Sequence, residues 1–113
     1  MRKFINDIKA KGATPIICSS IPRNPVKDDQ VVLANDSYAT WAEEVAKAEK
    51  IDFIPLNKII KDKYAALSAA AVKTFFTEKD HTHTNEAGAK LNAAAVVAGL
   101  KSLPNNKLNQ YLK

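Results

Sequence analysis

Strand-forming segments are scarce in this chain, and their number limits the folds that it can adopt. Two short segments combine apolar and β-branched residues in the manner of buried strands, Thr14 to Ser19 and Asp52 to Pro55. The order helix, strand, helix, strand, helix, helix is typical of α/β proteins, in which crossover helices join parallel strands. The sequence therefore predicts an α/β fold with a small parallel sheet.

Four segments, residues 4–10, 33–50, 56–69 and 86–100, have apolar residues at helical spacing. In the second of them the apolar side comprises Ala34, Tyr38, Trp41, Val45 and Ala48. The last segment contains the run from Ala93 to Ala98 and has little polar face, so we expect most of it to be buried. The residues from Ile21 to Asp29 are rich in turn formers and are predicted to be a loop.

Four apolar-faced helices are too many for a sheet of two strands. Parallel sheets are normally covered by helices on both faces, and a typical sheet has about four to six strands. The mismatch predicts that residues 1–103 are the C-terminal portion of a larger α/β domain, whose other strands lie upstream or come from a second chain. Residues 104–113, which begin with a proline and are rich in Asn and Lys, are predicted to form a frayed tail.

The positive net charge of the chain does not by itself indicate a polyanionic partner. The 113 residues have room for one small domain and carry a net charge of +5. All but two of the 17 basic residues are lysines, and no run of them is interleaved with aromatic residues to form a stacking platform. No apolar run is long enough to cross a membrane as a helix. We therefore expect neither nucleic acid nor a membrane as a partner.

The densest polar cluster runs from Asp80 to Asn85 and contains both histidines of the chain. An aspartate three residues before His83 can accept a hydrogen bond from its Nδ1–H, which leaves Nε2 free to take a proton from a nucleophile. Thr84 is placed to cap the helix that follows, so that His83 would lie near the positive end of that helix. The spacing is compatible with half of a hydrolytic triad, and the alternatives are a surface or capping role for His83 and a turn-forming role for Asp80.

A metal site is a second alternative for the same cluster. Asp80, His81 and His83 are three possible zinc ligands. Residues i and i+2 share a face on a strand, but this stretch precedes a helix and lacks β character, so we do not expect its side chains to converge on one ion.

A nucleophile is harder to find. Ser19 and Ser20 follow the first strand, at the carboxyl end where open parallel sheets form their active sites. Neither lies in a sharp Gly-x-Ser-x-Gly turn, and no glycine is close enough to form an oxyanion pocket. Cys18, the single cysteine, cannot form an internal disulfide, and its place in an apolar strand predicts a core residue. The sequence therefore contains a base and its orienting carboxylate without a convincing nucleophile.

The block from Asp80 to Asn85, with Gly88-Ala89 and the Ala-rich helix after it, resembles the final conserved block of the SGNH (GDSL-type) hydrolases. Within that superfamily it is similar to the rhamnogalacturonan acetylesterases and related carbohydrate esterases, which the segment from Pro15 to Pro25 also fits. The resemblance implies the C-terminal half of a flavodoxin-like three-layer α/β/α sandwich with parallel strands. It also implies that Asp80 and His83 complete a Ser-His-Asp triad, with no cofactor and no metal.

The same family carries its nucleophilic serine in a Gly-Asp-Ser motif near the N-terminus and takes oxyanion-hole groups from two further blocks. None of these precedes Phe4. The resemblance implies a fragment of an esterase for acetylated pectin-type polysaccharide that is inactive alone and needs a missing N-terminal half or a second copy. The complete protein would then be secreted or periplasmic. The alternative is a catalytically inert, truncated fragment that self-associates through an exposed sheet edge.

Overall fold

The computed structural model describes residues 1–78, 80–104 and 106–112. Its helices and strands, in chain order, are α1 (Arg2–Ala10), β1 (Ile16–Cys18), β2 (Val26–Lys27), β3 (Gln30–Val31), α2 (Ser37–Glu49), β4 (Asp52–Ile54), α3 (Leu56–Ala65), α4 (Ala69–Lys73), α5 (Glu86–Ser102) and a 3₁₀ helix (Lys107–Tyr111). None of the helices in these ranges is both long and apolar enough to span a membrane.

The central sheet consists of β1 and β4, which pair in parallel with Ile17 opposite Phe53. Helices cover both faces of this sheet. On one face, residues of α1 and α2 pack on β1 around Ile17, and on the other, α3 and α5 pack on β4 around Ile54. This layering confirms the predicted α/β architecture with parallel strands.

The larger core lies between β4, α3 and α5. Ile60, Tyr64 and Val72 are completely buried there. Close packing also depends on Gly99 in α5, because a Cβ atom at this position would overlap Cγ2 of Ile54. The long final helix can therefore lie directly against the sheet.

The predicted apolar side of α2 is partly wrong. Ala42 and Ala46 are the residues buried against the sheet, since their small side chains let the helix approach it closely. Tyr38 and Trp41 are exposed, because no described element lies beside β1 on its other edge to cover them. Cys18, predicted to be in the core, is exposed for the same reason.

Helix α5 is less buried than its composition suggests. Its buried positions are Gly88, Ala95 and Gly99, which form one narrow face. The expectation that most of the helix is buried is therefore wrong, as the exposed residues Ala93, Ala94 and Ala98 show. Alanines on the exposed side of α5 count as apolar residues in the sequence pattern. A helix that packs against one sheet and one neighbouring helix nevertheless needs only one buried side.

The loop between β1 and α2 contains a hairpin that the sequence pattern does not predict. β2 and β3 pair in antiparallel fashion, and the two turn residues, Asp28 and Asp29, both have positive φ. Such two-residue turns usually contain glycine or asparagine, so the Asp-Asp pair gives a weak signal. Val26 and Val31 pack the hairpin against the larger core, and Asp29 adds an exposed salt bridge of 2.7 Å with Lys73 in α4.

Three boundaries differ from the sequence expectation. α2 begins at Ser37 rather than near residue 33, because Asp36 caps its N-terminus. The third predicted helix, α3, ends at Ala65 rather than near Ala69, and the short helix α4, which Ser68 caps, is not predicted by the sequence pattern. Residues 107–111 form a 3₁₀ helix instead of a frayed tail, and Asn106 anchors it by donating to the carbonyl of Leu100 at 2.8 Å.

The close contact at Gly99 yields a stability prediction. Helix propensity alone would make Gly99→Ala stabilising by about 1 kcal/mol. Because the added methyl group overlaps Ile54, we expect a loss of about 1–3 kcal/mol in the free energy of unfolding instead. Urea denaturation followed by circular dichroism measures it. The control is Ala98→Gly on the exposed side, which should cost only about 1 kcal/mol, and a stabilised Gly99→Ala variant would contradict the packing.

Candidate active site

The carboxylate of Asp80 and the ring of His83 are in direct contact. Asp80 Oδ2 lies 2.8 Å from His83 Nδ1. The other oxygen, Oδ1, accepts hydrogen bonds from the backbone N–H groups of Thr82 and His83, both at 2.7 Å. These bonds, led by the one from the His83 backbone, lower the pKa of Asp80 to about 2. The carboxylate is therefore ionised at neutral pH and is held by a tight local turn.

The contact sets the tautomer of His83. An ionised carboxylate beside Nδ1 favours the ring form with the proton on Nδ1, because that nitrogen then donates to Asp80. Nε2 is then unprotonated and can accept a proton. The side chain of His83 is 77% exposed, so the ring is open to solvent and to any group that approaches it.

Asn85 holds the base of this loop. Its Oδ1 accepts from the N–H of Gly88 and caps α5, while its Nδ2 donates to the carbonyls of Thr74 and Phe76 at 2.7 and 3.1 Å. The predicted capping role of Thr84 is therefore wrong by one position. Because asparagine is at least as good an N-cap as threonine, the Thr84-Asn85 pair is ambiguous in sequence.

The loop after β1 contacts the histidine loop through the backbone. The N–H of Asn24 donates to the carbonyl of His81 at 2.8 Å, and the side chain of Asn24 accepts from the N–H of Val26 at 3.1 Å. The bond from Val26 to Asn24 stabilises the turn in which the N–H of Asn24 points to His81. The two loops that the sequence analysis singled out separately are thus joined, which spacing along the chain could not indicate.

Both candidate serines have structural partners. The hydroxyl oxygen of Ser19 is buried and accepts from the N–H of Asn57 at 2.8 Å. Ser20 donates to Asp36 at 2.7 Å, and the Asn57 side chain donates to the same carboxylate at 3.1 Å. The hydrogen bond from Ser20 is the main cause that lowers the pKa of Asp36. In the described part of the chain, neither serine hydroxyl bonds to His83.

Cys18 is equally unsuited to act as the nucleophile. Its side chain is exposed, but partial desolvation raises the pKa of the thiol. A raised pKa leaves less of the reactive thiolate at neutral pH. Sequence reasoning found no convincing nucleophile, and the geometry of these three side chains supplies none.

A cleft of about 580 Å³ opens beside the two loops, at the carboxyl end of β1. It extends from Asp36 and Asn57 to Arg23 and Asn24, and Asn24 is the residue that bonds to the histidine loop. Lys61 also lines the cleft and donates to the carbonyl of Ala34, another lining residue. The hydroxyl, amide and charged groups of the lining residues give the cleft many hydrogen-bonding positions.

The metal alternative has little geometric support. Within residues 1–78, 80–104 and 106–112, no three His, Cys, Asp or Glu side chains are grouped closely enough to hold a metal ion. Instead, Asp80 uses both of its oxygens in bonds within its own turn.

Two known proteins are similar to the chain. A rhamnogalacturonan acetylesterase of Emericella nidulans is 31% identical over 85 residues, which are 75% of this chain and 34% of that enzyme. The crystal structure of protein YxiM from Bacillus subtilis superposes with a TM-score of 0.80 and 27% identity, over 89% of this chain and 29% of the other. The chain thus spans about a third of the length of either relative. No protein-family model matches it.

The capping role of Asn85 can be separated from that of Thr84. We expect Asn85→Ala to lower the free energy of unfolding by about 2 kcal/mol or more, because it removes the cap and leaves two carbonyls without their donor. Thr84→Ala, the matched control, should cost less than about 1 kcal/mol. Thermal unfolding of both variants measures the difference. Equal losses would mean that Asn85 does not anchor the loop.

The depressed pKa of Asp80 predicts a transition at acid pH. Since the folded-state pKa lies below the ordinary value of 3.8, the bonds to Asp80 are intact above about pH 4 and are lost as the pH falls through about 2. We expect the amide NMR signals of Thr82 and His83 to shift with a midpoint near pH 2. Asp80→Asn should abolish the transition and Asp62→Asn should leave it. A midpoint near pH 3.8 would contradict the hydrogen bonds that Thr82 and His83 donate to Asp80.

Proposed function

We propose that this chain, which belongs to the SGNH-type hydrolases and spans about a third of the length of its relatives, carries the acid–base half of an esterase active site. The relationship to a carbohydrate esterase covers most of this chain. The observation that carries the proposal is the 2.8 Å contact between Asp80 Oδ2 and His83 Nδ1, which has the geometry required of a base and the carboxylate that orients it.

In the proposed reaction, a serine hydroxyl from outside these residues attacks the acetyl carbonyl while Nε2 of His83 takes its proton. When the tetrahedral intermediate collapses, the same proton passes to the oxygen of the departing sugar. A water molecule then attacks the acetyl–serine with His83 again as base, and acetate leaves. Asp80 keeps the ring oriented in both steps and stabilises its protonated form.

We propose acetyl esters on pectin-type polysaccharide as the substrate. The name of the Emericella nidulans relative gives the substrate class. The cleft supports it, since its amide, hydroxyl and cationic side chains suit a sugar polymer that bears many hydroxyls and acidic groups. Asn24 lines the cleft and its N–H bonds to the carbonyl of His81, so we infer that a sugar bound in the cleft presents its ester to the loop that carries His83.

We also propose that residues 1–103 are one portion of a single SGNH domain and that residues 104–113 are its C-terminal tail. The catalytic serine and the oxyanion-hole groups then come from polypeptide outside the chain. Since Ser19 and Ser20, the two serines that follow β1, are held in structural bonds, we expect that the chain alone does not release acetate.

The test uses a chimera in which residues 1–113 replace the matching region of the Emericella nidulans enzyme. We expect His83→Ala to lower kcat for acetate release from acetylated rhamnogalacturonan by a factor on the order of 10⁴, and Asp80→Asn by one on the order of 10³–10⁴. His81→Ala is the matched control and should stay within about threefold of the parent, because the bond from Asn24 reaches only its backbone carbonyl. Unchanged activity in His83→Ala would refute the assignment.

A further inference from the structure

The cleft at the carboxyl end of β1 is lined by three charged side chains, those of Arg23, Asp36 and Lys61. Arg23 is exposed, and no residue in the described part of the chain forms a hydrogen bond or an ion pair with its guanidinium. The N–H donors of Arg23 are therefore open to a ligand in the cleft.

The carboxylate of Asp36 does not compete for Arg23, because its hydrogen-bonding capacity is used elsewhere. Oδ2 accepts from the Ser20 hydroxyl at 2.7 Å and from the Asn57 amide at 3.1 Å. Oδ1 accepts from two backbone N–H groups in the first turn of α2. The positive end of that helix also stabilises the negative charge of the carboxylate.

Lys61 is engaged as well. Its ammonium donates to the carbonyl of Ala34 and attracts the carboxylate of Asp36. The charges of Lys61 and Asp36 thus offset each other among the lining residues, whereas the charge of Arg23 has no counterpart there. The excess positive charge of the cleft lies at Arg23, so the cleft favours an anionic ligand.

The backbone holds Arg23 close to the histidine loop. Pro22, the preceding residue, is buried, and Asn24, the following residue, donates to the carbonyl of His81. Through this bond, the Cα atoms of Arg23 and His83 are at most about 15 Å apart. Both side chains are long enough to cover part of that distance, so a short stretch of polymer can contact the two.

Asn57 adds an acceptor to the same cleft. The residue is only 5% exposed, its N–H donates to Ser19 and its Nδ2 donates to Asp36. Its Oδ1 accepts no hydrogen bond from a described residue, although a buried amide oxygen normally has a donor. Because Asn57 lines the cleft, this oxygen is available to a hydroxyl group of a ligand.

We propose that Arg23 makes the cleft selective for an acidic sugar, because its guanidinium binds the carboxylate of a uronate residue in the substrate. A planar guanidinium matches a carboxylate through two parallel hydrogen bonds, which a lysine ammonium cannot form. A neutral polysaccharide would leave Arg23 without a partner. The inference rests on the proposed function, since the uronate belongs to the polymer whose acetyl ester His83 would help to cleave.

The first test measures binding by the chain itself and needs no catalysis. Oligogalacturonate is titrated into the isotopically labelled chain, and its methyl ester, which has the same hydroxyls without the charge, is the matched ligand. We expect the acid to shift the side-chain Nε–H NMR signal of Arg23. It should bind at least about fivefold more tightly than the ester, and added salt should reduce this difference.

Variants assign the difference to one side chain. Arg23→Gln should weaken binding of the acid by about fivefold or more and leave binding of the ester unchanged. Arg23→Lys should lie between the parent and Arg23→Gln, because lysine keeps the charge without the planar fork. The matched control is Arg2→Gln, which changes the only other arginine, bonded to Glu49 at the far end of α2, and should bind like the parent.

Kinetics in the chimera test whether the same contact selects the substrate. Arg23→Gln should raise KM for acetylated rhamnogalacturonan by about fivefold or more with kcat within about twofold of the parent, as expected when an interaction with both ground state and transition state is removed. Arg2→Gln should change neither constant. His83→Ala should bind oligogalacturonate like the parent and lose acetate release, so binding and chemistry are observed separately.

Three results would overturn the proposal. They are binding of oligogalacturonate that is no tighter than that of its methyl ester, equal losses of affinity in Arg23→Gln and Arg2→Gln, and an unchanged KM in the Arg23→Gln chimera. Tight binding of the acid through Arg23 together with full activity of His83→Ala would support the selectivity of the cleft and refute the catalytic assignment alone.

Discussion

The parallel pairing of β1 with β4 is the interaction on which the rest of the molecule depends. Three residue pairs form it, and each strand leads at its carboxyl end into a group that shapes the cleft. Ser19 follows β1 and Asn57 follows β4, and the bond between them joins the two strand ends. Asp36 extends this connection to the start of α2. If the register shifted by one residue, these polar groups would separate and the apolar residues would change faces.

The loop from Asp80 to Asn85, in contrast, is built from short-range contacts. Asp80 bonds to residues two and three positions later in the chain, and Asn85 joins the end of the loop to the turn after α4. Among the described residues, the bond from the N–H of Asn24 to the carbonyl of His81 connects the loop to the cleft. The contact between Asp80 and His83 can therefore form in the absence of the groups that would complete an active site, because its geometry does not depend on them.

Local patterns predicted much of this structure and failed where contacts are distant. The strand residues, the crossover order and the Asp80–His83 contact follow from spacing within a few residues. The exposure of Cys18 and Trp41 does not, because an apolar residue in a strand or helical stripe is normally buried, and only the arrangement of the whole sheet shows that nothing lies beside them. The hairpin at Asp28 and Asp29 was missed because its turn lacks glycine, and the cap at Asn85 because Thr84 is an equivalent candidate. The catalytic roles of Asp80 and His83 stay predictions.

The exposed thiol of Cys18 also affects how the protein must be handled. A lone cysteine has no intramolecular partner, so in an oxidising medium it forms mixed disulfides or sulfenic acid, or cross-links two molecules. Its raised pKa slows these reactions near neutrality and allows them to accelerate as the solution becomes alkaline. Storage with a reductant at mildly acidic pH therefore preserves the native covalent state.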